Sequence, residues 1–278
     1  MCAATPFVTK EPDGLVPGPI AQGGWGPTVG GQVVGGLLAR AVERHAADSQ
    51  MQPARLTVDI MRRIALRPIQ VDSSVVRTGN RMCAIDAELV QDGHVVARAS
   101  ALYLRRGQHP QPEPWSTPVT MPAAPPERHN WPEDRPMFIT CFGRDPAAGG
   151  DGTQWKHTGP KYAWVREVRP LVDDEVLTPF VRAAMAADLT SSVANFSVDG
   201  LRYINADYTL TLSRLPESAL IGLAALTHHG AAGVATGSAT LFDARGPIGT
   251  GLCTAVANPA FRIPDSFTNS PPESSTAS

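Results

Sequence analysis

No stretch of this sequence approaches the roughly 18 to 20 consecutive apolar residues that a membrane-spanning helix needs. Cysteine is scarce. The four present, Cys2, Cys83, Cys141 and Cys253, lie far apart and form no C-x-x-C pair, so neither a zinc site nor a disulfide framework is expected. A reduced, cytoplasmic compartment fits that usage. An excess of one charge is also missing. Lys and Arg number 24 against 26 Asp and Glu, a net charge of −2, which argues against nucleic acid or an anionic membrane surface as a partner. Residues 1–10 lack the basic and apolar regions of a secretory signal, and none is expected. There is no G-x-S-x-G elbow, no H-E-x-x-H and no P-loop. Gly24-Trp-Gly26 falls short of a dinucleotide fingerprint, because Val29 stands where a third glycine is required and Pro27 interrupts the run. The histidines are too scattered for a triad, and His228-His229 before Gly230 reads as a turn. No metal and no organic cofactor is expected.

What is present is a 278-residue chain, 42% hydrophobic, long enough for a sizeable core in one large or two ordinary domains. Proline and glycine divide it. Residues 108–160 are rich in both and read as a linker, and the Ser/Pro/Thr-rich end, 263–278, reads as a disordered tail. The flanking blocks, 1–107 and 161–262, share one layout. In the first, a helix over residues 30–44 precedes strand-like runs near 54–61, 69–78, 82–91 and 94–105. Gly79-Asn80 and Asp92-Gly93 supply hairpin turns. Cys83, Ile85, Ala87 and Leu89 alternate with Ala84, Asp86 and Glu88, the signature of a half-buried strand. In the second block, a strand at 162–169 and a helix over 178–195 precede strands near 201–213, 219–227, 232–243 and 247–257. Turns are expected at His229-Gly230 and Ala244–Gly246. The second helix is apolar nearly all round and has to be buried. An antiparallel sheet wrapped around one buried helix satisfies both elements, and two such units would make a pseudo-dimer within one chain.

Asp188 interrupts the apolar face of that helix, alongside Val181, Ala184, Met185 and Ser192. A buried aspartate is costly unless it is paired or hydrogen-bonded. Two readings fit it. Burial raises the pKa of a carboxylate and makes it a general base for water; alternatively, it is a structural Asp capping nearby backbone or facing solvent. Gly30, Gly31 and Gln32 open the first helix. There the glycines permit close approach of a ligand and free N–H groups attract a carbonyl oxygen or phosphate, unless they merely start a helix. Arg62-Arg63 and Arg105-Arg106 are short basic pairs of the solvated kind, with phosphate contact as the other reading.

Several of these segments resemble one family in order. Val29-Gly-Gly-Gln-Val-Val-Gly35 resembles the F-G-G-Q-V-V-G segment of the bacterial acyl-CoA thioesterase II family. Arg77-Thr-Gly-Asn80 resembles its R-D-G-N turn, Gln91-Asp-Gly93 its Q-N-G turn, Ala163-Trp-Val-Arg166 its W-[IV]-R strand and Met185-Ala-Ala-Asp-Leu189 its Y-A-S-D-L helix. The resemblance implies an α+β double hotdog and an acyl-CoA substrate hydrolysed in fatty acid metabolism. It also implies a homo-oligomer, a dimer of double hotdogs, for which an exposed sheet edge offers a route. It implies as well a water held by Asp, Thr and Gln between the two halves. Asp188 falls on the family's aspartate. Asn205 stands where the Thr is expected, and counting from Gly246 puts Thr254 at the Gln. The candidate catalytic set is therefore Asp188, Asn205 and Thr254, with Gly30, Gly31 and Gln32 binding substrate. Two departures in three keep a non-catalytic acyl-CoA or acyl-thioester binding protein in view. A hotdog hydratase is disfavoured, because no histidine follows Asp188 at the D-x-x-N-x-x-H offset.

Overall fold

The computed structural model describes residues 4–45, 48–112, 114–116, 118–126 and 135–258; Cys2 and the tail 263–278 lie outside them. Strands β1 (Val8–Glu11) and β2 (Gly14–Pro17) form a small separate hairpin before helix α1 (Gly31–Glu43). Then come β3 (Met51–Ile60), β4 (Gln70–Thr78), β5 (Met82–Gln91), β6 (His94–Arg105), β7 (Met137–Phe142) and β8 (Tyr162–Glu167). Helices α2 (Pro179–Ala187) and α3 (Thr190–Asn195) are followed by the short pair β9 (Phe196–Ser197) and β10 (Gly200–Leu201). The chain continues through β11 (Tyr203–Asn205), β12 (Asp207–Leu212), β13 (Ile221–Ala231), β14 (Val234–Asp243) and β15 (Gly246–Ala257).

Among the described residues, eleven strands make one antiparallel sheet in the order β4-β5-β6-β3-β12-β15-β14-β13-β8-β7, with β11 also on β15. The seam between its two parts is the β3–β12 ladder, in which Asp59 faces Asp207 and Arg55 faces Thr211. Thr57 and Thr209 bond across it, oxygen to oxygen, at 3.0 Å. Helix α1 packs on β3–β6 and against α2, while α2 meets β8 and β12 and α3 meets β13–β15. α1 is buried along almost its whole length. Its small residues let it come close: a Cβ on Gly35 would stand 2.7 Å from Tyr208 Cζ and closer still to the hydroxyl. That hydroxyl donates to the Ala184 carbonyl at 2.9 Å, so one glycine in α1 makes room for the tie between β12 and α2. At the other end of α2, Thr178 caps the helix by accepting from the Val181 N–H at 3.1 Å. Its hydroxyl donates to Glu43 at 2.7 Å, fastening that start to the end of α1.

The structure corrects the sequence reading in four places. Residues 108–160 hold an element, strand β7, paired with β8. Part of the Pro-rich run is also packed: Val119 and Met121 cover Phe138, Phe142, Trp164, Leu220 and Phe242 on the sheet face away from the helices. The Trp164 indole N–H donates to Pro122 O at 2.8 Å, so this segment is a cover and not slack chain. The helix expected over 178–195 is two helices, because Asp188 and Leu189 form a tight turn between them (ψ −31° and −7°). The expected 201–213 strand is three pieces, β10, β11 and β12. His228 and His229 lie inside β13, and its hairpin turns at Ala232-Gly233 instead, with φ of 50° and 80°. Asp92-Gly93 turns the β5–β6 hairpin the same way, at φ of 52° and 73°.

Candidate active site

A cavity of about 390 Å³ opens where α1 begins, α2 ends and β11 leads to the seam. Gly30, Gly31 and Gln32 line it from the start of α1, Asp188 from the α2–α3 turn and Asn205 from β11. Asn205 Nδ2 donates to Asp188 Oδ1 at 3.0 Å. Two of the three candidate catalytic residues are thereby brought together beside all three candidate binding residues. Gly31 makes this possible, since a Cβ there would stand 2.7 Å from Asp188 Cγ and closer to Oδ1. Gln32 is buried with its side chain folded over Gly30.

Burial pushes the Asp188 carboxyl up to about 6, while the Asn205 amide and the Gln32 backbone N–H hold it back. Asp188 keeps some accessible surface although it is ringed by protein, because it borders the cavity. A carboxylate poised near neutrality in a concave site is the arrangement a general base requires.

Thr254 does not join them. Its side chain is exposed, and its hydroxyl and N–H both reach Asp207 Oδ1 at 2.6 Å. The cause is a bulge. Leu241 pairs with Gly249 and Phe242 with Pro247, which leaves Ile248 as an extra residue in β15. One extra residue turns every later side chain to the opposite face, so Cys253 and Ala255 point inward and Thr254 outward. There Thr254 satisfies the Asp207 carboxylate, which faces Asp59 across the seam while Asp59 is itself paired with Arg98.

The rest of the cavity wall comes partly from residues the sequence did not single out. β7 supplies Met137, Ile139 and Cys141, and the turn after it supplies Trp155. Trp155 is buried, its indole N–H donates to Tyr162 O at 3.0 Å, and its ring meets Phe196 edge-on with centroids 5.5 Å apart. Ser192, expected on the face of Asp188, lines the cavity from α3 together with Ser191, whose i+3 spacing from Asp188 was the signal that could have found it. Arg62 and Arg63 line it from the end of β3, both exposed, and neither is ion-paired among the described residues. Arg105 is paired with Asp48 away from the cavity. No cluster of three metal-ligating side chains occurs among the described residues, and no helix there is long and apolar enough to cross a membrane.

Residues 21–104 match the acyl-CoA thioesterase N-terminal domain and residues 111–256 the acyl-CoA thioesterase C-terminal domain. Among solved structures, the tesB protein of Mycobacterium avium subspecies paratuberculosis superposes with a TM-score of 0.62 at 15% identity, over 84% of this chain and 88% of that one. The acyl-CoA thioesterase II TesB2 of Mycobacterium marinum gives 0.57 at 18%, over 85% and 92%. A hot dog fold protein of unknown function from Alicyclobacillus acidocaldarius gives 0.58 at 18%, also over 85% and 92%. At these identities the likeness is one of fold. No curated protein matches the chain.

Proposed function

From the premise that this chain belongs to the acyl-CoA thioesterase family, whose members are thioester hydrolases, we propose that it hydrolyses acyl-coenzyme A to a free acid and coenzyme A with water activated by Asp188. The observation that carries the reading is the Asp188 carboxylate, fixed by Asn205 beside the start of α1 on the wall of one cavity. Asp188 takes a proton from water as the water oxygen attacks the thioester carbonyl carbon. The new C–O bond forms and the carbonyl oxygen gains charge. The Gly31 N–H, first in α1, is suited to receive that charge, because the Gln32 N–H is taken by Asp188 and those of Val33 and Val34 by the Gly30 carbonyl. Collapse of the intermediate breaks the C–S bond, and Asp188 returns its proton to the departing thiolate. The acyl chain lies along the apolar wall of β7, Trp155 and Phe196, and the coenzyme A phosphates lie toward Arg62 and Arg63. In this reading the two sheet parts with their helices are the two repeats of a double hotdog, and the protein acts in fatty acid metabolism.

The test is thiol release from a panel of acyl-CoAs by wild type and Asp188→Asn. Wild type should release thiol, and the variant should fall by a factor on the order of a hundred or more. Full activity in Asp188→Asn sinks the assignment. Tight acyl-CoA binding without turnover by wild type favours the second reading, a binding protein, which the replacement of the family's Thr by Asn205 and the outward turn of Thr254 motivate.

A further inference from the structure

From the cavity wall a chain of polar groups that the mechanism above leaves idle runs through buried Ser191 and Asn195 to His228, which is exposed. Ser191 is 3% exposed and Asn195 4%. Such groups are costly to bury without partners, and their partners here run in one direction. His228 Nδ1 lies 2.9 Å from Asn195 Oδ1. An amide oxygen only accepts, so Nδ1 carries the proton and donates. In this orientation the Asn195 amide nitrogen faces Ser191, where Nδ2 donates to Ser191 Oγ at 3.2 Å and to Cys253 Sγ at 3.9 Å. The Tyr203 ring stands edge-on to His228, with centroids 6.0 Å apart, and holds the imidazole at the head of the chain. Ser191 Oγ is thus already an acceptor, and its own hydrogen has the Cys253 sulfur within reach and can turn from it to a water. The Cys253 thiol beside it is a poor acceptor compared with a water oxygen.

Ser191 follows Asp188 by three residues with the intervening backbone still right-handed helical, so the two side chains share a face at about 5 to 6 Å between Cβ atoms. Both line the cavity. Resting on the reading of Asp188 as the base, we infer that Ser191 completes the water site from α3, donating the third contact to the attacking water that Thr254 is turned away from making. Asn195 is a positioning residue that acts through Ser191, and His228 positions Asn195. The water is then gripped by Asp188 and Ser191 from one helical face and by Asn205 from β11.

The experiment is steady-state thiol release by wild type, Ser191→Ala, Ser191→Thr, Ser191→Val, Thr254→Ala, Asn195→Ala and the Ser191→Ala/Asn195→Ala double variant. Loss of one preorganised donor should lower kcat of Ser191→Ala roughly tenfold to a hundredfold with KM within about twofold. Ser191→Thr and Ser191→Val have one shape and differ by the hydroxyl, so Thr should exceed Val by a similar factor even if both are less stable. Asn195→Ala should lower kcat, and the double variant should be no slower than Ser191→Ala alone. Wild-type kcat in Ser191→Ala, equal rates for Thr and Val, or the loss appearing in Thr254→Ala instead would each overturn the assignment while leaving Asp188 in place. Absence of thiol release from wild type would overturn the hydrolase reading, and this inference with it.

Discussion

Gly31 and Asp188 share one space: a methyl group on the first would stand 2.7 Å from the carboxyl carbon of the second. Asp188 is short, and Asn205 holds it at 3.0 Å, so it has nowhere to retreat without breaking that bond. Gly31→Ala should therefore cost activity out of proportion to stability. Thiol release should fall about tenfold to a hundredfold, the scale of one lost catalytic hydrogen bond. The thermal midpoint should move by only a few degrees, the scale of about 1 kcal/mol. A variant with wild-type kcat would show that the carboxylate is not needed where it stands.

The Asp188 carboxyl, raised by burial to about 6 from 3.8, sets two pH dependences of opposite sense. The base is active when ionised, so kcat/KM should fall about tenfold per unit below pH 6. Stability runs the other way. Between 3.8 and about 6 the folded state holds this proton and the unfolded state has released it, so stability is lost as pH rises through that window. A gap of about 2 units corresponds to about 3 kcal/mol at neutral pH. Asp188→Asn should accordingly be more stable than wild type at pH 8, by up to about 3 kcal/mol, and no more stable at pH 3.5. Urea unfolding at the two pH values reads this directly. An advantage that persists unchanged at pH 3.5 would assign it to packing instead.

Trp155, edge-on to Phe196 at 5.5 Å, walls the apolar side of the cavity. Ser or Ala there would open a void of several kcal/mol, so Trp155→Leu is the better probe. It should move the preferred acyl-CoA to a longer chain. The long-to-short ratio of kcat/KM should rise about tenfold, as one methylene of fit is worth. An unchanged chain-length profile would place the acyl group elsewhere.

Arg62 and Arg63 are exposed at the cavity and unpaired among the described residues. Replacing both by Ala should raise KM for acyl-CoA about tenfold at low salt, an effect that fades as ionic strength rises. The same acyl group on pantetheine, which lacks the nucleotide phosphates, should show no change. An equal rise for both thioesters would assign the arginines to shaping the cavity mouth.

The sequence displayed some elements to the residue. β5 and β6 run over 82–91 and 94–105 as expected, because Asp92-Gly93 accepts the positive φ of a tight hairpin and the flanking residues alternate cleanly. Asp188 and Asn205 were readable from the resemblance, and Gly31 from its place at a helix start. β7 was not, because Met137–Phe142 is a short apolar run inside a Pro/Gly-rich stretch and is stabilised by pairing with β8. The break after Ala187 depends on a turn of ordinary helical residues that no glycine or proline marks. The facing of Thr254 depends on Ile248, an extra residue that only the pairing of β14 with β15 discloses. His228 and His229 were misplaced because Gly230 resembles a turn residue, although Ala232 and Gly233 take the positive φ.

The two parts of the sheet meet along a main-chain ladder, β3 on β12, and the cavity lies across that seam, with Ile60 on one side and Ala206 on the other. Melting either part strands the hydrogen bonds of the other, so heat should find one transition and not two. A ligand seated across the joint is then felt by every strand at once. Its binding free energy adds to the stability of the whole chain, and a rise in a single melting temperature becomes a direct gauge of acyl-chain fit, with no turnover required.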